Sequence, residues 1–492
     1  MNRSHTRRLA AWLAALTLSS TLIACGGASD GGTDTTAAPA VTTAAPAGTT
    51  VPEETKLTAN IPEGTNFGGY VFNIANGVHN ATKYTTNAIA PTEATGDVLN
   101  DAIYKRTVTV EEKLGIDIVD LDITQAKAKT FLQAADTSFD LMTVDLAGTR
   151  GFFNENLVLD FNEMPNIDLS MPWWDQNAQE KLSIDGKLWY ALSDFLITHL
   201  DNSRGLYFNK QLFTDLQLED PYQLVRDGKW TLDKLREMGL QAVSDLDGNQ
   251  VMNEYDRYGM TAFANPGQLY EAFLTASESE IMQQGSNGIP YFYCYEDRFL
   301  DVAEKLLAVF NTDDFTYYPP KDSITTFMEN RSLFLTWTLY AATQLRAMDT
   351  DFGILPLPKY DENQADYWCV CPQPHTLMIP LHVDQERTGT ILEAMAYYSS
   401  PYYNGEESVT YAYFEKAVKG KTTRDAESLE MLDIIKNSIS YLIKLDDSAM
   451  TNAISTAFKN GQNQFSTIIA KTKKAADKTL ENVYASMGVT VD

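Results

Sequence analysis

The chain has 492 residues, a formal net charge of −28, 11% aromatic residues and four cysteines. A surface this acidic argues against nucleic acid and anionic lipid headgroups as partners. So few cysteines exclude a disulfide-built scaffold, and nothing after the first residues is long and apolar enough to span a membrane.

Arg3, Arg7 and Arg8 precede an apolar run, Leu9 to Ile23, that is too short and alanine-rich for a spanning helix. The run reads as a targeting segment over residues 1–24. It ends Leu22-Ile23-Ala24-Cys25, followed by two glycines. An aliphatic residue, a small residue and then cysteine resembles a bacterial lipobox. That implies cleavage before Cys25 and a diacylglycerol thioether on its sulfur. The alternative is an ordinary signal peptide with a chance cysteine. Residues after Arg7-Arg8 fit twin-arginine export poorly, which favours the general secretory route. Two acyl chains hold a protein firmly where one does not. Residues 25–65 are rich in Ala, Thr, Gly and Pro, with too few large apolar groups to offset the entropy of ordering. They read as a tether. The folded part begins near Phe67 and is too long for one core, so two domains are expected.

Gly69 to Asn76 alternates as a strand. Asp97 to Gly115 reads as a helix, with Asp97 or Asn100 as N-cap and Gly115 as C-cap. Ile116 to Ile123 and Phe139 to Asp145 are further strands, so the order points to an α/β sheet with crossovers. Trp173-Trp174 opens a segment leading to Leu182–Ala191, whose Asp185-Gly186 signals a hairpin turn. Leu206 to Asn209 is a strand, Thr231 caps a helix, and Arg298 to Phe310 is strongly amphipathic. Leu333 to Trp337 is a strand running into a helix. Asp351 to Leu357 is a strand stopped by Pro356 and Pro358. The last third is largely helical, over 391–398, 426–443 and 450–483.

Asp245-Leu-Asp247-Gly-Asn249-Gln-Val251-Met-Asn253-Glu-Tyr-Asp256 places oxygen ligands at loop positions one, three, five, nine and twelve. The backbone carbonyl of Val251 is available at seven. The spacing resembles an EF-hand or dockerin calcium loop and predicts a structural Ca2+. Gln250 stands where glycine is expected, and Asp256 replaces the usual glutamate. The alternative is a polar turn between helices. Cys369, Cys371 and His375 lack a fourth ligand for a metal cluster. Cys294 can bridge to either of the other two thiols, or all three stay free. Gly420-Lys421-Thr422 resembles the end of a phosphate loop, but Glu415 occupies its first glycine position. No Gly-x-Gly-x-x-Gly, His-Glu-x-x-His or Gly-x-Ser-x-Gly motif is present.

Six stretches carry a resemblance in their order and spacing: Phe139-Asp140, Ile184–Leu192, Leu206–Lys210, Trp230-Thr231, Arg331–Trp337 and Asp351–Lys359. Together they resemble the extracellular solute-binding proteins of ABC importers, the broad group that includes maltose-binding protein. With Ala102–Arg106 and Trp173-Trp174, the likeness is greatest to lipid-anchored clostridial members. The resemblance implies an α/β, two-lobe periplasmic-binding-protein-like fold with hinge strands and a helical C-terminal portion. Lobe 1 would hold 66–197 and 336–375, and lobe 2 would hold 198–335 and 376–492. On that plan Asp351 to Leu357 is a lobe 1 strand leaving towards the cleft.

The implied function is capture of a small solute between the lobes and delivery to an ABC permease from the outer face of the cell membrane, as a lipid-anchored monomer that is not an enzyme. A sugar needs aromatic platforms for its C–H faces and polar groups for its hydroxyls. The candidates at strand ends are Asn76, Asn80, Asp145, Arg150 and Trp337, then Tyr270, Tyr367 and Trp368. Trp189 and Trp230 are expected in the core. The rival readings are an anchored glycoside hydrolase, which needs two carboxylates across a cleft, and a surface protein that holds polysaccharide without transport.

Overall fold

A computed structural model describes residues 57–77, 89–263, 265–320, 322–413, 426–445 and 449–489. The strands among them, in chain order, are β1 (Tyr70–Asn76), β2 (Ile116–Leu121), β3 (Leu141–Asp145), β4 (Arg204–Asn209), β5 (Tyr258–Thr261), β6 (Met282–Gln284), β7 (Pro290–Phe292), β8 (Thr316–Tyr317), β9 (Ser332–Thr338), β10 (Phe352–Leu355), β11 (Cys369–Cys371), β12 (His375–Met378) and β13 (Ile439–Tyr441). Two sheets organise the two lobes. The first runs β12-β3-β1-β2 and the second β10-β4-β9-β5-β8. In the first sheet β1 pairs parallel with β2 and β3, while β12 runs antiparallel to β3. In the second, β5 is parallel to β8 and β9, and β4 is antiparallel to β9 and β10.

Local chemistry explains the elements. The helix Val98–Leu114 starts where the Asp97 carboxylate accepts from Leu99 N and Asn100 N. It ends at Gly115, whose φ of 61° is left-handed. Its apolar stripe, with Val110 and Leu114, packs on Phe72, Ile74, Ile116 and Ile118 of the first sheet. The Trp173-Trp174 pair lies in the same core. Both indoles are fully buried and donate to one carboxylate, Glu393, at 3.1 and 2.8 Å. Burial still holds the Glu393 carboxyl above its ordinary range, despite those two bonds.

The structure corrects the expected division of the chain in two places. Phe352–Leu355 pairs with β4 in the second sheet, not with the first. Conversely, His375–Met378 completes the first sheet, and the helix Gln385–Ser399 packs Ile391, Leu392 and Met395 into the core of that sheet. Alternation marks a strand but not its partner, and β10 finds its partner by close fit. Gly353 lies where a Cβ would come within 2.2 Å of the Phe208 ring and the Tyr222 hydroxyl. The outer edge of β10 is covered by the helix Ala426–Asn437, whose Ser428 Oγ accepts from Ile354 N at 3.1 Å. Nor does the proline exit lead to the cleft. Pro356 O accepts from Trp230 Nε1 at 3.0 Å, and Lys359, 4% exposed, donates from Nζ to Gln364 O at 2.8 Å.

Two C-terminal boundaries also differ from expectation. The helix ending at Asn437 gives way to β13, because Ile439 to Tyr441 pairs parallel with Cys369–Cys371. The last helical run is two helices, Ala449–Lys459 and Phe465–Met487, separated at left-handed Gly461. Trp189 and Trp230 are buried. Cys294, Cys369 and Cys371 are buried free thiols. Among the described residues no helix is long and apolar enough to cross a membrane.

Candidate solute cleft

In open α/β sheets, ligands gather outside the carboxyl ends of the strands. The chain crosses from the first sheet to the second before β4 and returns to the first sheet at β12. The first crossing is the helix Thr198–Asn202, which leads into β4. It is tied to the chain entering β12: Thr198 Oγ1 accepts from His375 N at 3.1 Å, and Asn202 Nδ2 donates to Gln373 O at 3.3 Å. Ser203 O accepts from Leu339 N, just past β9. From the loop after β3, Arg150 Nη1 reaches Leu445 O, beyond β13, at 2.9 Å.

The first-sheet side is polar. Asn76 ends β1 fully buried. Its Oδ1 accepts from Thr143 Oγ1 at 3.0 Å and its Nδ2 donates to Asp120 at 3.3 Å. Asp145 ends β3, accepts from Gln125 Nε2 at 2.6 Å and Gly148 N at 3.0 Å, and pairs in register with His375. Burial lowers the His375 pKa to about 4, against the opposing field of Asp145, so the imidazole is neutral at pH 7.

The second-sheet side is aromatic and cationic. Trp337 stacks on Phe263 with ring centroids 4.1 Å apart and planes at 20°. The Arg204 guanidinium lies 3.8 Å from the centroid of the same Phe263 ring. Arg204 is 5% exposed, and its Nε and Nη1 are buried without a hydrogen-bond partner. Burial brings its pKa down to about 10, with Glu271 and Cys371 opposing the shift. A cavity of about 240 Å³ runs along the helix Pro266–Ala276, which follows Phe263 in the chain. Asn265, Gln268, Glu271, Lys444 and Asn452 are among its lining residues. Lys444 and Glu271 form an ion pair across it.

Asn76 and Asp145 thus end strands of the first sheet, Arg150 reaches from the loop after β3 to Leu445, and Trp337 lies in β9 of the second sheet. Asn80 lies outside the described residues. Tyr270 lines the 240 Å³ cavity, its buried ring stacked on Phe458 at 4.3 Å and its hydroxyl donating to Asn311. Tyr367 donates to Val225 O at 3.1 Å. Trp368 belongs to a different cavity. Sequence reading passed over Arg204, Phe263 and Lys444. A charged residue opening an apolar strand, Arg204-Gly-Leu-Tyr-Phe, is the signal that could have found the first of these.

The acidic loop is closed by its own side chains. Asp245 accepts from Gly248 N and Gln250 N, both at 2.7 Å, and Gln250 adopts φ +68°, the left-handed conformation usually left to glycine. Asp256 is buried and accepts from Leu246 N and Asn253 N. Carboxylate oxygens of Asp245, Asp247 and Asp256 lie within 4.8 Å of one another. Asn249 and Asn253 donate to Asp247 within the same loop, and Val251 is exposed. The donor set is all oxygen, which suits a hard cation.

No family model and no curated protein matches the sequence. Solved structures do match. UspC of M. tuberculosis superposes with a TM-score of 0.54 at 12% identity, covering 84% of this chain and 100% of that one. The cyclic alpha-maltosyl-1,6-maltose binding protein of Arthrobacter globiformis gives 0.53 at 11% identity, over 85% and 98%. A sugar transporter protein of Rhizobium etli in an open conformation gives 0.51 at 13% identity, over 86% and 100%. The chain has the fold of the extracellular solute-binding proteins.

Proposed function

We propose that this protein captures a small solute, a mono- or oligosaccharide, between its lobes and delivers it to an ABC permease. The observation that carries the reading is the solute-binding fold, in which a Trp337–Phe263 stack lies at the end of β9 and polar residues end β1 and β3. An aromatic face takes the C–H side of a pyranose, and fixed polar groups take its hydroxyls. Bridging both lobes favours the closed form by differential affinity, and the closed form is what a permease would recognise. Two of the matching solved structures are a sugar transporter protein and a cyclic alpha-maltosyl-1,6-maltose binding protein. Catalysis has no part in the reading, and ATP hydrolysis belongs to the partner. Lipid attachment at Cys25 would hold the protein, as a monomer, on the outer face of the membrane.

A thermal-shift screen of the purified protein against saccharides, amino acids and peptides tests the ligand class. A ligand that binds only the folded form raises Tm. A rise with saccharides is expected, and a response confined to peptides would overturn the sugar reading. Turnover of fluorogenic glycosides would favour a hydrolase instead. The acidic loop is proposed to hold a structural Ca2+ through Asp245, Asp247, Asn249, the Val251 carbonyl, Asn253 and Asp256. Calcium should raise Tm and chelation should reverse it; an unmoved Tm in both would remove the ion from the account.

A further inference from the structure

A second cavity, of about 290 Å³, lies away from the cleft. It is formed by the helix Gln176–Leu182, the end of the helix Pro266–Ala276, β6 and β13. Phe263 and Asn265 precede the latter helix, whereas Thr275 and Glu278 line this cavity at its far end. At 1.5 Å per residue Asn265 and Thr275 stand roughly 15 Å apart along the helix axis, so this cavity is remote from the Trp337–Phe263 stack although Glu280 lines both it and the 240 Å³ cavity.

Four features give the cavity a chemical character. Trp368 is half-buried in it, and its Nε1 donates to Glu278 Oε1 at 3.0 Å, which fixes the plane of the indole. Glu278 adopts φ +53°, a left-handed conformation unfavourable for a residue bearing a Cβ, and so holds its carboxylate against that indole. Three carboxylates, Glu180, Glu278 and Glu280, face one cation, Lys181, which is paired to Glu280 at 2.9 Å. The amide donors are already used: Asn177 Nδ2 binds Ile439 O at 2.9 Å, and Gln283 Nε2 binds Glu278 O at 2.8 Å and Glu280 at 3.0 Å. Gln284 Nε2 binds Ser183 O at 2.7 Å, while its Oε1 is buried with no donor. The walls therefore offer an aromatic surface, an excess of acceptors and a net negative field.

We propose that this cavity is a second binding site, separate from the cleft, for a sugar unit rich in hydrogen-bond donors: a neutral or amino sugar, and not an acidic one. The pyranose face packs on Trp368. Its hydroxyl or ammonium hydrogens satisfy Glu278, Gln283 Oε1 and Asn177 Oδ1. A uronate would meet the carboxylates unpaired. The site does not depend on the cleft holding the same ligand.

The test is calorimetric titration of the whole purified protein with glucose-, glucosamine- and glucuronate-based disaccharides. Wild type, Trp368→Ala, Trp368→Phe and Trp337→Ala are compared. The expected result is a site for the first two ligands that survives Trp337→Ala, weakens at least tenfold in Trp368→Ala and is restored by Trp368→Phe. Glucuronate should leave it empty. The proposal is overturned by the absence of a site that survives Trp337→Ala, by a site indifferent to Trp368→Ala, or by equal affinity for the glucuronate ligand. Failure of the cleft reading looks different: Trp337→Ala then changes no titration, while the Trp368-dependent site persists.

Discussion

The two sides of the cleft solve opposite problems. At the ends of β1 and β3, Asn76 and Asp145 have their polar atoms engaged by Thr143, Asp120, Gln125 and Gly148. At the ends of β5 and β9, a guanidinium is buried over Phe263 with two nitrogens unpartnered, and Trp337 remains half-exposed. The first side is a finished surface that can position a ligand at little reorganisation cost. The second carries unmet hydrogen-bonding capacity and open aromatic area, which is where binding energy is to be gained.

Four substitutions break or sharpen that contrast. The largest effect should come from the finished lobe. Glu393→Ala strands two buried indole N–H groups, each costing about 1–3 kcal/mol, so denaturant unfolding should show a loss of roughly 3 kcal/mol. An unchanged midpoint would mean the Trp173–Trp174–Glu393 network contributes little. On the unfinished side, Trp337→Ala should cost about 2 kcal/mol of solute affinity, some thirtyfold, with a small change in Tm. Comparable affinity in the variant would place the sugar elsewhere.

His375 gives a pH-dependent effect, intermediate in size (about 1.4 kcal/mol) near pH 5.5. Its folded pKa is depressed to about 4 from an ordinary 6.5. The unfolded chain therefore binds a proton that the folded form refuses. Stability is complete above pH 6.5 and falls between there and pH 4, by up to about 1.4 kcal/mol per pH unit. His375→Gln should flatten this limb of the stability profile, and an identical limb in the variant would assign it to other groups. Asp194, raised to about 7 by burial, acts in the reverse sense: its contribution is present at low pH and lost as pH rises towards 7. The smallest change is expected from Arg204→Met. Removing a buried guanidinium, two of whose nitrogens lack a hydrogen-bond partner among the described residues, should leave the unliganded protein equal or about 1 kcal/mol more stable while weakening solute binding. A destabilised variant would show that the cation–π contact with Phe263 outweighs the desolvation.

Much of the fold was legible because its signals are local. Asp97 and Gly115 bound their helix by capping, and the strands of the first sheet announce themselves by alternation. Pairing was not legible. Phe352–Leu355 carries the pattern of any buried strand, and only contact with Phe208 and Tyr222 through Gly353 selects the second sheet. The site was half legible. Trp337 was singled out by the family resemblance, but Trp368, seven residues from His375 in the chain, was carried off by the β11–β13 pairing into another cavity. Arg204 and Phe263 are distant in sequence, so their stacking could not be read from either segment.

The sequence by itself determined the helix caps, the strand segments and the calcium-like spacing, because each depends on neighbours a few residues away. Tertiary structure alone decided which sheet each late strand joins, which aromatic rings remain open, and which charges lack a partner. Those properties arise from surfaces that meet only after the chain has crossed between lobes, where burial turns an ordinary side chain into a costly or a useful one.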